Sequence, residues 1–126
     1  MDIELQKVKD RLEQLGYEAD PTEEVALTFV IEKTEAHIKN NCNVSIIPDG
    51  LKIHAIDNIC GEYISQLNSI GKLTDFNIEQ ALNNIKIGDT TVEYSGKSNT
   101  DLFDILITRL ISRLEVEMPC YRQIKW

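Results

Sequence analysis

The chain has 126 residues, 42% of them hydrophobic and 27% charged, with 13 Lys and Arg against 21 Asp and Glu for a net charge of -8. That length fits one domain with a modest core, and that balance is globular rather than disordered. The acidic excess argues against a phosphate-gripping protein, and no apolar run approaches the roughly 20 residues that a membrane span needs.

The opening Met-Asp-Ile-Glu is not a basic stretch followed by an apolar core, so a product that stays in the cell that makes it is expected. Cys42, Cys60 and Cys120 are widely spaced and odd in number, which fits reduced thiols.

Residues 2–15 predict a first helix. Leu5, Val8, Leu12 and Leu15 recur on one face, with Glu4, Lys7, Arg11 and Glu13 turned outward and Gly16 as a stop. Residues 22–67 predict a helical hairpin, the stretch around which the rest is organised. Its first helix has Asp20 as N-cap, Pro21 at the first position and Glu23 three residues after the cap. Leu27, Val30, Ile31, Thr34 and Ile38 form its apolar face. Asn40-Asn41-Cys42-Asn43 is a polar break in which asparagines tolerate left-handed backbone. The second helix restarts near Pro48, with Ile53, Ile56, Cys60, Tyr63, Ile64 and Leu67 as its apolar face. Gly61 falls in its middle, where glycine costs roughly 1 kcal/mol relative to Ala, and predicts close approach of another helix.

Over 84–95, Ile85 and Ile87 alternate with Lys86, and Val92 and Tyr94 with Glu93, on either side of Gly88-Asp89. This period of two around a Gly-Asp turn predicts a β-hairpin. Ser95–Asn99 is a polar, flexible link. Residues 99–117 predict the last helix, whose stripe of Phe103, Leu106, Ile107, Leu110, Ile111 and Leu114 marks it as the element the hairpin helices pack on. Pro119 is expected to end it. The tail 118–126 carries Tyr121, Ile124 and Trp126 with Arg122 and Lys125, and is too apolar to hang free, so it is expected to dock on its own domain or on another subunit. The predicted fold is thus mainly α: a small bundle of about four helices with one β-hairpin and an extended C-terminal tail, in a single domain over 1–126.

The residues offer little chemistry. His37, His54, Cys42 and Cys60 form neither a Cys-x-x-Cys pair nor a His pair at helical spacing, so no metal is expected. Cys60 lies on the apolar stripe, which makes it a core thiol rather than a nucleophile activated by His54. Glu23, Glu24, Glu32 and Glu35 are assigned to solvated helix faces, not to acid–base work. Gly88-Asp89 is a turn, not a phosphate cradle. No catalytic, metal or cofactor residue is assigned, and the chain is expected not to be an enzyme. Charge is uneven: residues 1–36 hold ten acids and four bases, whereas the last 26 residues hold four of each. An acidic front and a more basic tail suit head-to-tail contacts between copies, which close into rings when the rotation permits.

Three stretches carry a resemblance. They are Asn41-Cys42-Asn43 with Ile47-Pro48-Asp49-Gly50-Leu51 running on to Cys60-Gly61-Glu62-Tyr63; Ile85-Lys86-Ile87-Gly88-Asp89-Thr90-Thr91-Val92; and the closing helix with Tyr121-Arg122-Gln123-Ile124-Lys125-Trp126. In order and spacing they resemble the small head–tail connector proteins, also called head-completion or neck adaptor proteins, of tailed bacteriophages and prophages of Gram-positive bacteria. The resemblance implies a helical bundle with a small β element and a non-catalytic virion protein, made in the host cytoplasm and ending in the phage neck. It implies a ring of about twelve copies between the portal protein and a tail-side neck or tail terminator protein. DNA would pass through the bore only as cargo, and no membrane is involved. Contacts to neighbours or portal would fall on Ile87, Gly88, Asp89, Val92 and Tyr94 and on Tyr121, Arg122, Ile124, Lys125 and Trp126. The acidic balance suits a bore that repels phosphates. The alternative is a small helical interaction or regulatory module of a prophage.

Overall fold

The structure, a computed structural model, describes residues 3–71 and 99–121. Helix α1 is Leu5–Gln14, a single 3₁₀ turn covers Pro21–Glu23, and α2 is Glu24–Cys42. Helix α3 is Asp49–Ser69 and α4 is Asn99–Tyr121. Among the described residues there is no strand. The β-hairpin expected over 84–95, with Ile87, Gly88, Asp89, Val92 and Tyr94, lies outside the described residues, as do 95–98 of the link.

The entry to α2 follows from local chemistry. Asp20 and Glu23 form a capping box with Pro21 at the first position, and a Glu23 carboxylate oxygen accepts the Asp20 backbone N–H at 2.7 Å. Leu27, Val30, Ile31, Thr34 and Ile38 are all buried, as their spacing predicts. Glu35 is a correction. Expected on a solvated face, it is only 6% exposed, because it lies one turn after Ile31 and falls within the wide stripe a core-facing helix buries. A second correction concerns the polar break. Asn40, Asn41 and Cys42 remain helical, and only Asn43 leaves the helix, at φ 55°. One left-handed residue suffices to end a helix, so the other asparagines need not unwind. Gly16, at φ 97°, ends α1 by the same device, without the Cβ penalty.

α3 departs most from its predicted face. Leu51, Ala55, Asn58, Ile59, Cys60, Gly61, Tyr63, Ile64 and Leu67 are buried, while Ile53 is 69% exposed. The cause is packing on several sides, since α3 lies against α1, α2 and α4. A helix covered on several sides shows no single stripe. α3 rather than α4 is therefore the central element, and its most extensive contact is with α4.

That contact is close where glycine permits it. A Cβ on Gly61 would lie 2.9 Å from Leu110 Cβ and 3.0 Å from Ile111 Cγ1. The expectation of a helix passing close to Gly61 is met. A Cβ on Gly50 would overlap the Tyr121 hydroxyl. Residues 61 and 50 thus face residues 110–111 and 121, so α3 and α4 run antiparallel. Leu102, Leu106, Leu110, Leu114 and Met118 of α4 enter the common core, with Phe103 and Ile107 half-buried at its edge.

Pro119 does not end α4, which continues to Tyr121. The tail expected over 118–126 is thus helical through 121. Proline removes the bond to the carbonyl of Glu115 and crowds it, a cost of about 3 kcal/mol in a helix interior. Here Pro119 is exposed, Met118 beside it is buried and Tyr121 packs on the core. Burial of those two side chains offsets the defect.

Candidate functional site

Three features could carry function: a polar knot at one end of the bundle, a cleft between α1 and α3, and the end of α4 beside that cleft.

The knot joins three segments. Tyr17, after α1, donates its hydroxyl to Glu23 Oε1 at 2.6 Å, and Tyr63 of α3 donates to the same oxygen at 2.5 Å. The two rings meet edge to face with centroids 6.4 Å apart. Burial, and then the hydrogen bond to the carboxylate, push both tyrosine hydroxyls well above their ordinary range. A phenol held protonated against a carboxylate is a clamp rather than a proton shuttle at neutral pH. The knot ties the α1–α2 connection to α3.

The cleft follows from the exposure of Ile53. Ile53, Ile56 and Lys7 line both of two adjoining hollows. One hollow, about 380 Å³, continues along Asp10, Arg11, Gln14 and Asp57. The other, about 330 Å³, opens towards Glu4, Asp49 and Lys52. Arg11 Nε donates to Asp57 Oδ1 at 2.7 Å and fixes the spacing of α1 and α3 along one wall. Lys52 lies 3.1 Å from Asp49, whose side chain is 96% exposed, so that pair contributes little to stability. Sequence reasoning missed this cleft because Ile53 fits the same helical spacing as the truly buried residues. The competing stripe of Leu51, Ala55 and Ile59 was the signal that could have found it.

The end of α4 brings Tyr121 onto Gly50, next to Asp49 at the mouth of the cleft. Of the residues expected to contact a neighbour or portal, Tyr121 packs within its own fold, half-buried. Arg122, Ile124, Lys125 and Trp126 lie outside the described residues.

The chemistry-bearing side chains are dispersed. Cys60 is fully buried, with its thiol directed at the Val8 carbonyl at 3.8 Å. Burial, and then the Asp57 carboxylate, push that thiol far up, with Arg11 opposing. Such a thiol is a core residue and a poor nucleophile. Cys42, also buried, points at the Met118 carbonyl at 3.6 Å. His37 sits on the surface, 3.1 Å from Glu115. Among the described residues, no three His, Cys, Asp or Glu side chains come together as a metal set, and no helix is long and apolar enough to cross a membrane.

No family model, curated protein or solved structure matches the chain.

Proposed function

We propose that this chain is a structural protein of a tailed-phage particle, a neck adaptor that docks as a ring between portal and tail and performs no chemistry. The observation that carries it is the resemblance of the three stretches, in order and spacing, to head–tail connector proteins. The helical bundle suits that architecture. The net charge of -8 suits a bore through which DNA slides without sticking, because like charge repels the phosphates. Exposed apolar side chains on separate elements, Val25 and Phe29 on α2, Ile53 on α3 and Val116 on α4, offer several places for shallow contact with neighbours.

In this reading the contacts come from Ile87–Tyr94 and from the tail. The portal templates the ring, since small interfaces of this kind need many copies held in register to persist. Co-purification with the portal protein of the phage or prophage that encodes this chain tests the proposal. Stoichiometric binding that is lost when residues 122–126 are deleted supports it. A chain that ignores the portal in both forms is instead a free-standing helical interaction module.

A further inference from the structure

We infer that the last turn of α4, residues 119–121, is a latch. It opens at the Met118–Pro119 junction and closes with Tyr121 against Gly50 as its catch, while the rest of the bundle stays folded. The junction is a weak point by its chemistry. Pro119 lies inside the helix, has no N–H for the Glu115 carbonyl, and disfavours helical backbone at the residue before it, Met118. A helix that ended at Met118 would be relieved of both faults. It would also keep its hold there, because the Met118 side chain is 1% exposed and the Cys42 thiol points at the Met118 carbonyl at 3.6 Å. The helix up to Met118 is thus anchored independently of the turn that follows.

That turn is held through Tyr121. Pro119 is exposed, whereas Tyr121 is half-buried and packs on the core. The seat of Tyr121 is made by a glycine, since a Cβ on Gly50 would overlap the tyrosine hydroxyl. Gly50 lies in the first turn of α3 and is not one of the positive-φ glycines, so its backbone does not call for glycine. Glycine there even costs helix propensity. What the missing side chain provides is room for Tyr121. A proline that favours release is thus set against a ring in a notch that favours closure, and such opposed contributions make a two-state element. The latch does not rest on the neck-adaptor reading. If both hold, the open form gives the chain after Met118 its reach towards a neighbouring subunit or the portal.

Amide hydrogen exchange followed by NMR on the full-length chain tests the latch. In a helix that runs through Tyr121, the amides of residues 120 and 121 bond the carbonyls of Val116 and Glu117. These two amides should exchange through a local opening, many-fold faster than those of Leu110 and Leu114 and at a rate that low urea leaves unchanged. Gly50→Ala, a change in a different helix, should speed both several-fold and leave Leu110 and Leu114 as they were. Tyr121→Ala should speed the amide of residue 120 in the same way, and adding Gly50→Ala to it should do nothing more. Pro119→Ala should slow both amides several-fold. Ordinary fraying of a helix end would not respond to residue 50. Exchange at 120 and 121 that is unchanged in Gly50→Ala therefore overturns the inference. So does a Gly50→Ala effect shared equally by Leu110 and Leu114, exchange that Pro119→Ala fails to slow, or exchange that keeps pace with Leu110 and Leu114 in every variant. None of these results depends on whether the chain binds a portal.

Discussion

Glu23 does three things at once. It completes the capping box at the start of α2, and one of its oxygens accepts from both Tyr17 and Tyr63. Tyr63 is only 3% exposed, so its hydroxyl has little water to turn to if the carboxylate is removed. Hydrogen bonds to charged groups contribute about 1.5–3 kcal/mol each and are not additive here, because one acceptor serves both. Glu23→Ala is therefore expected to cost about 2–3 kcal/mol in urea unfolding, and Glu23→Gln clearly less. A loss within a few tenths of a kcal/mol for the alanine variant would mean that the knot is decorative. Buried hydroxyls and thiols also set a pH dependence. Cys60, Tyr17 and Tyr63 have native pKa values raised above those of the unfolded chain, which lie near 8.5 for Cys and 10 for Tyr. On raising the pH the unfolded chain sheds these protons first, so stability falls. It should be flat through neutral pH, decline above about pH 8.5, by about 1.4 kcal/mol per pH unit for the buried thiol, and steepen above pH 10. Melting temperatures measured across that range check the sign, and stability that rises there would contradict it.

At the scale of elements, the α3–α4 seam is the most demanding contact. A Cβ at Gly61 would meet Leu110 Cβ and Ile111 Cγ1, atoms near the α4 backbone that cannot swing aside. Gly61→Ala gains about 1 kcal/mol of helix propensity. Overpacking, at about 1–3 kcal/mol, should still win, so a net loss in chemical denaturation is expected. Gly50→Ala meets the far end of a Tyr121 side chain that can rotate away, and should cost little. Pro119→Ala should stabilise α4 by about 1–3 kcal/mol by restoring the bond to the Glu115 carbonyl. An Ala at Gly61 that is neutral or stabilising would show that the helices are not so close. How legible each element was depended on how many sides of it are covered. α2 presents one core-facing stripe, and Leu27 through Ile38 could be read from spacing. Its cap was visible in Asp20, Pro21 and Glu23, because capping is local chemistry. α3 is packed by α1, α2 and α4, so two stripes compete and Ile53 was assigned to the interior. Pro119 was read as a stop because the rule is local, whereas what overrides it, the burial of Met118 and Tyr121, is tertiary. The cleft was illegible for the same reason, since it lies between α1 and α3 and exists only once they pack.

At the scale of the whole molecule, the four described helices share one core reaching from Ile3 to Met118. Among the described residues, Cys42 and Cys60 are buried, Tyr17 and Tyr63 are clamped on Glu23, and His37 lies on the surface beside Glu115. In the neck-adaptor proposal, the net charge of -8 would keep DNA from sticking in the bore and the C-terminal residues would make the grip. The most direct test of the neck-adaptor proposal is the mass in solution, by light scattering, of the chain mixed with its cognate portal, for full-length protein and for a version ending at Tyr121. The proposal predicts a portal complex carrying a ring of this chain for the full-length protein, and a bare portal for the shortened one. A full-length chain that stays unbound beside the portal, at the mass it has alone, would contradict it.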